Sequence, residues 1–166
     1  MTNVKAQDVR QQLLHELDHL SEEQLNIRME PHWTIGEVCD HLIKMDHQIL
    51  LTLQYALTKN IEEVVSSKPI ERALDRSMKI EAPDIVAPNP GPFEKASLID
   101  RLHQGKQSLD EEIEATNQER LERLSAKHPV FSRLSLKQWV ELRTYHEQRH
   151  IEQIKELKQD ARFPSK

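Results

Sequence analysis

The sequence predicts an all-α protein built as a four-helix bundle, and three observations lead to this fold class. Aromatic residues make up 4% of the 166 residues and glycines number three, whereas sandwiches and barrels need more aromatic and β-branched residues and many tight turns. Apolar residues recur at steps of three and four in four separate segments. Four helices with one apolar face each can bury those faces by packing together.

The composition also limits the class of protein. A chain of this length fits one domain over residues 1–166. The lone Cys39 excludes an internal disulfide framework and a cysteine-based zinc finger. Lys and Arg total 23 against 28 Asp and Glu, a net charge of −5, which argues against a nucleic-acid partner. No apolar run has membrane-spanning length and the N-terminus lacks a signal-peptide pattern, so we expect a cytoplasmic protein without a membrane partner.

The first half of the chain contains two predicted long helices. The first covers residues 5–19, and Ser21 then caps a short helix with Gln24 as its capping-box partner. The second starts after the cap Thr34, with Glu37 reaching back, and continues to about residue 60 on a regular apolar stripe.

A long connection follows over residues 61–94 and holds five of the eight prolines. Its Pro-Asn-Pro-Gly-Pro stretch at 88–92 cannot be a helix or a central strand, although a short helix fits around 70–78. A crossover of this length allows the helices on either side of it to lie parallel.

The second half of the chain contains the other two long helices. The third is predicted over 97–116, and a second connection follows over 117–134, with a short helix at 118–125 and a turn at His128-Pro129. The last helix begins at the cap Ser135 and continues to about residue 159. We expect the tail from residue 161 to fray.

Nine histidines are the unusual feature, and their facing separates them. His146 and His150, four residues apart, fall in the middle of the buried stripe of the last helix, within about 20° of one direction. His15 and His19 have the same spacing but project onto a polar face. His41 lies about 80° from the stripe centre of the second helix, and Cys39 lies equally far on the other side. The remaining histidines lie off the apolar stripes or in connections.

Buried neutral imidazoles are costly unless each ring nitrogen has a partner. A divalent metal ion would satisfy His146 and His150 together, with a third ligand from elsewhere, and three histidines leave open positions, as in catalytic sites. Facing alone does not choose between His41 and Cys39 as that ligand. The alternative is a metal-free set of core histidines bonded to Glu, Gln or backbone groups.

Two segments resemble the DinB-like (YfiT-like) superfamily: residues 33–42, with Trp33 before the helix that carries His41, and residues 128–154, from His128-Pro129-Val130-Phe131 through the last helix. Relatives often have glycine where this chain has Ser132. The resemblance implies a bundle in up-down-down-up order and a metal bound by His41, His146 and His150. It also implies nickel, zinc or iron as the metal, and a homodimer.

For function, the resemblance implies a metal-dependent enzyme acting on a small-molecule substrate. Relatives include transferases and an isomerase that use a low-molecular-weight thiol, and metal-dependent hydrolases, so a thiolate or a water would be activated. Gln153 could orient a ligand histidine or touch substrate. Arg143 could meet an anionic thiol cofactor or pair with a neighbouring acid. The alternatives are a metal-loaded bundle that binds or senses a small ligand without turnover, and a metal-free structural bundle.

Overall fold

The computed structural model describes residues 4–165 and is mostly helical. Its elements in chain order are α1 (Val4–Leu17), α2 (Glu22–Asn26), α3 (Ile35–Lys59), two short 3-10 turns (Ile70–Leu74 and Asp84–Val86), α4 (Lys95–Ala115), α5 (Gln118–Arg123), β1 (Ser125–His128), β2 (Ser132–Ser135) and α6 (Leu136–Gln159). None of the helices described between residues 4 and 165 is both long and apolar enough to span a membrane.

Side-chain caps start three of the helices where the sequence predicts them. The Ser21 hydroxyl accepts the N–H of Gln24 at 3.1 Å. The Thr34 hydroxyl accepts the N–H of Glu37 at 3.0 Å, and the Glu37 carboxylate accepts the Thr34 N–H at 2.8 Å. Ser135 likewise caps α6. These caps satisfy helix N–H groups that have no partner within the helix.

The apolar stripes of the long helices form two buried clusters. The first lies between α1, the start of α3 and the end of α6, and the second lies between the end of α3, the hairpin and the start of α6. The most extensive helix contact joins α3 to α4, and α6 packs on both α1 and α3. The site described below lies on the α3 and α6 surfaces that these contacts bring together.

A buried ion network connects the four long helices, and the sequence interpretation missed it. Arg10 of α1 donates to Glu147 of α6 at 2.7 and 3.1 Å and to Asp46 of α3 at 3.1 Å. Arg143 of α6 donates to the same Asp46 at 2.8 and 3.0 Å. Arg10 also donates to the carbonyl of Leu102 in α4. We call Arg10, Asp46, Arg143 and Glu147 the ion network.

The connection over 61–94 contains less helix than predicted. A single 3-10 turn, Ile70–Leu74, forms in place of a helix over 70–78, because Asp75 accepts the backbone N–H and hydroxyl of Ser77 and turns the chain there. The segment lies against α6, where Arg149 donates to the carbonyls of residues 73, 75 and 78. Arg149 therefore holds the connection against α6, the helix that carries two of the candidate ligands.

The region 117–134 contains a hairpin that the sequence interpretation did not predict. The short helix there is confirmed as α5, and the turn at His128-Pro129 is confirmed, but antiparallel strands β1 and β2 flank it, pairing Ser125 with Ser135 and His128 with Ser132. Strands of four residues are too short to show a clear alternating pattern. Ser132, at the position where relatives often have glycine, has a positive φ of 66°.

The C-terminal tail docks instead of fraying. Phe163 packs against the first apolar cluster, and the Gln24 amide donates to the carbonyl of Pro164 at 2.9 Å. The expectation of a frayed tail was wrong, because the burial of one aromatic ring and a side-chain bond from α2 offset the loss of chain entropy.

Candidate metal centre

Three histidines from two helices converge in the interior. His41 comes from the second turn of α3, and His146 and His150 come from successive turns of α6. The Nε2 atom of His146 lies 3.3 Å from that of His41 and 3.1 Å from that of His150. We call these residues the histidine triad. Among the described residues it is the group of potential ligands whose atoms lie close enough together to hold a metal ion.

The outer nitrogens of two triad rings have fixed partners. His41 Nδ1 lies 2.7 Å from the carbonyl oxygen of Val86, and His150 Nδ1 lies 2.6 Å from Oε1 of Gln153. Both partners are acceptors, so each Nδ1 carries the proton and each Nε2 presents a lone pair. These contacts hold the two rings in the tautomer and orientation that a metal ligand requires.

The inner nitrogens then lack enough protons to satisfy one another. If Nε2 of His146 carries a proton, it can donate that proton to Nε2 of either His41 or His150. The Nε2 lone pair of the remaining ring then has no donor within the triad. A cation between the three rings gives every lone pair a partner. The donor set of three neutral imidazoles therefore fits a divalent metal ion.

The spacing of the nitrogens gives an independent test of this fit. With metal–nitrogen bonds of about 2.1 Å, two ligand nitrogens lie about 3.4 Å apart in a tetrahedral site and about 3.0 Å apart at a right angle. The observed separations of 3.1 and 3.3 Å fall between these values. Both separations from His146 thus suit ligands of one ion, and the ligand atoms of all three residues lie within 4.8 Å of one another.

The protonation state agrees with the geometry. Burial lowers the pKa of His41, and burial lowers the pKa of His150 to about 3. Burial, together with the neighbouring rings of His150 and His41, lowers the pKa of His146 well below its ordinary value. All three rings are therefore neutral near pH 7, which is the form that binds metal.

Trp33 forms one wall of the site. Its ring centroid lies 5.2 Å from that of His41 and 6.4 Å from that of His150, and it is nearly parallel to the latter. The residue precedes the Thr34 cap, and its ring also packs on the first apolar cluster. This half-buried indole shields one side of two ligand rings from solvent.

The structure places the two other candidate residues differently. Gln153 bonds His150, which is the orienting role among those predicted for it. Arg143 is 5% exposed and belongs to the ion network, where its Nε and Nη2 atoms donate to Asp46. Its contacts are those of the predicted alternative, a pair with a neighbouring acid.

Cys39 and His128 take no part in the triad. Cys39 is fully buried, and burial raises the pKa of its thiol to about 12, so it stays protonated. His128 accepts the backbone N–H groups of Val130 and Phe131 at the hairpin turn, and burial lowers its pKa to about 4. The other histidines outside the triad are exposed: His15, His19, His47 and His103, as their facing predicts, and His32 in a connection.

The fold and the site together define a mostly helical protein with a buried three-histidine centre that fits a metal ion. The chain belongs to the DinB superfamily, whose sequence profile matches residues 6–154. It is 32% identical over 157 residues to the uncharacterized protein YuaE of Bacillus subtilis (strain 168), a match that covers 92% of this chain and 94% of the relative. No solved structure matches the chain. The resemblance seen in the sequence is confirmed.

Proposed function

We propose that this protein is a metal-dependent enzyme in which His41, His146 and His150 hold a nickel, zinc or iron ion. It would act on a small-molecule substrate with a low-molecular-weight thiol or water as the nucleophile. The observation that carries the proposal is the convergence of three Nε2 atoms whose spacing and protonation suit one ion.

A divalent ion on three imidazoles, when bound, lowers the pKa of a coordinated water or thiol and leaves positions open for it. The protein's own groups prepare that chemistry. The Val86 carbonyl and the Gln153 amide oxygen hold the ligand rings, burial keeps the rings neutral, and Trp33 limits access of water on one side. Gln153 holds His150 and is a positioning residue in this proposal.

Elemental analysis of untagged, chelator-free protein tests the metal site. Wild type should contain about one ion per chain after incubation with nickel, zinc or iron. His146→Ala and His150→Ala should each lose it, and His41→Ala should weaken binding strongly. His19→Ala is the matched control, because its ring is exposed on α1, and it should bind as wild type does. A wild type that takes up no ion, or a dependence on His19, would refute the proposal.

Turnover then separates an enzyme from a metal-loaded binding or sensing protein. The loaded protein is mixed with low-molecular-weight thiols and small electrophiles, or with hydrolysable esters and amides, beside His150→Ala. Product formation that requires the triad supports the enzyme. Saturable binding of the same compounds without product would instead support the non-catalytic function.

We also propose the up-down-down-up order for the four long helices. Three sets of contacts support it. Asp40 meets Arg101 and Asp46 lies against Gly105, as in parallel α3 and α4. Arg10 meets Glu147 and Glu16 meets Lys158, as in parallel α1 and α6. Asp46 meets Arg143 while His41, nearer the start of α3, meets His146 farther along α6, as in antiparallel α3 and α6.

A homodimer completes the proposal, following the resemblance to the superfamily. The connection over 61–94 carries exposed apolar side chains that a second copy could cover, namely Leu74, Met78, Ile80 and Ile85. Light scattering coupled to size exclusion tests it. A mass of twice the monomer at micromolar concentration is expected, and a monomer at all concentrations would refute it.

A further inference from the structure

The orientation of His41 depends on a carbonyl that belongs to the connection over 61–94. His41 Nδ1 donates to the backbone oxygen of Val86, the last residue of a 3-10 turn. The acceptor is a backbone atom, so its position depends on how residues 84–89 are held and does not depend on the Val86 side chain. His150, in contrast, is oriented by Gln153 within its own helix.

Lys44, one turn after His41, holds the same segment. Its Nζ atom donates to the carbonyl of Ala87 at 2.7 Å and to the side-chain oxygen of Asn89 at 2.9 Å. The first of these acceptors is the residue directly after Val86. A cation bonded there limits movement of the Val86 carbonyl relative to α3.

Asp40, directly before His41 and 3.6 Å from the Lys44 ammonium group, holds the same segment. It is 1% exposed, and its Oδ2 atom accepts the backbone N–H of Asn89 at 2.9 Å. Its Oδ1 atom accepts from Arg101 of α4 at 2.8 Å. Both carboxylate oxygens are used, which offsets the cost of burying the charge. Asp40 and Lys44, one on each side of His41 in the sequence, thus bond the backbone of residues 89 and 87, next to the Val86 carbonyl.

We propose that the segment 86–89 orients the metal ligand His41, and that Asp40 and Lys44 are positioning residues because they hold this segment in place. By fixing the Val86 carbonyl they keep the proton on Nδ1 and the lone pair of Nε2 directed at the ion. The consequence for metal affinity rests on the proposed function. The consequence for the His41 tautomer does not, because it concerns the metal-free protein.

Two measurements test this inference on the full chain. The first is the affinity for zinc, measured by competition with a chelator, for wild type, Lys44→Met and Asn89→Ala. The Asn89 substitution removes the side-chain acceptor of the Lys44 ammonium group and leaves Lys44 itself in place. Outer partners of ligand histidines contribute about 10–100-fold to metal affinity, so we expect Lys44→Met to weaken zinc binding at least tenfold. We expect Lys44→Arg to restore most of the loss.

Lys155→Met is the matched control, because Lys155 is also a helix lysine near a carboxylate, and its ammonium group donates to Glu152 of its own helix, away from residues 86–89. The second measurement is the tautomer of His41 in metal-free protein, from nitrogen–proton NMR correlations. Wild type and Lys155→Met should show the Nδ1–H form, and Lys44→Met should show a mixture. His150 should keep its Nδ1–H form in all variants.

The outcomes are distinguishable. Wild-type zinc affinity in folded Lys44→Met and Asn89→Ala, with an unchanged His41 tautomer, would overturn the inference and leave the metal site intact. A wild type that binds no zinc would refute the proposed function, and the tautomer measurement would still decide whether the segment orients His41. Lower thermal stability in Lys44→Met without either change would show that the contacts only stabilise the fold.

Discussion

Replacing Arg10 by methionine should destabilise the protein strongly, because the buried positive and negative charges of the ion network are equal in number only when all four members are present. Two guanidinium groups face two carboxylates, and every member is at most 5% exposed. Methionine has a similar length and favours helix, so Arg10→Met removes the charge and its bonds while filling much of the space.

The magnitude follows from what the substitution leaves behind. Glu147 loses bonds of 2.7 and 3.1 Å and retains Arg143 only at 3.5 Å. Two buried carboxylates then share one cation. Removing one partner of a buried ion pair costs about 3–5 kcal/mol, which is a large part of a typical unfolding free energy of about 5–15 kcal/mol.

Urea unfolding of metal-free protein, followed by circular dichroism, measures the effect. Arg76→Met is the matched control, because Arg76 bonds Glu156 in the same two-bond geometry, at 3.0 and 3.1 Å, but on the surface. Exposed pairs contribute about 0–1 kcal/mol, so the control should stay within that range of wild type.

A second substitution separates a stranded charge from lost packing. In Arg10→Met combined with Glu147→Gln, one cation and one carboxylate remain, so the double variant should be more stable than Arg10→Met alone. The reasoning is refuted if Arg10→Met costs no more than the surface control. It is also refuted if the two substitutions destabilise additively.

Three further predictions follow. Acidification from pH 6.5 towards 4 should destabilise the metal-free protein, because the pKa values of the triad are lowered in the folded state and the unfolded chain therefore binds protons at higher pH. The free energy of unfolding, measured in urea, should fall by up to about 1.4 kcal/mol per pH unit for each histidine. Gly36→Ala should cost about 1–3 kcal/mol in thermal unfolding, because its Cβ would lie 2.6 Å from a ring carbon of Phe93. Cys39 should react with a thiol reagent no faster than the protein opens, since it is buried and protonated.

Each of these has a control. The pH dependence should become shallower in His150→Gln, and a flat stability between pH 6.5 and 4 would contradict the first prediction. Gly105→Ala places a Cβ no closer than 3.7 Å to its neighbours and should stabilise α4 by up to about 1 kcal/mol. Modification of Cys39 at a rate above that of unfolding, measured in parallel, would contradict the third.

Local chemistry made much of the fold predictable. The caps at Ser21, Thr34 and Ser135 each accept the backbone N–H three residues later, so the sequence contains all that decides them. The hairpin β1–β2 depends on pairing between strands of four residues and on packing against α6, and no local pattern of that length predicts it. The tail was missed for the same reason, since Phe163 finds its partners in distant segments.

The site was predictable in part. The spacing of His146 and His150 on one buried stripe indicates the α6 pair, but the angles of His41 and Cys39 on their helix are equal and opposite. Only the packing of α3 on α6 separates them. The resemblance to the superfamily supplied that choice, and in the structure the His41 ring lies beside the other two.

The ion network left a signal that the sequence interpretation did not use. Asp46 lies between Leu42 and Ile49 at steps of four and three, which places a carboxylate on an apolar stripe. Arg10 lies three residues before Leu13 and seven before Leu17, which places it on the apolar stripe of α1. Charges at such positions must be paired when buried, but the sequence does not say with which partner.

The ion network also joins residues that the ribosome synthesises many seconds apart. Arg10 is made 36 residues before Asp46 and 137 residues before Glu147. At about 5–20 residues per second, roughly 7–27 s pass between the two ends of the longer pair. During that interval α1 has no α6 to cover its apolar face, and a charge destined for the interior stays in water. The native surroundings of Arg10 therefore cannot be completed until the last helix is made.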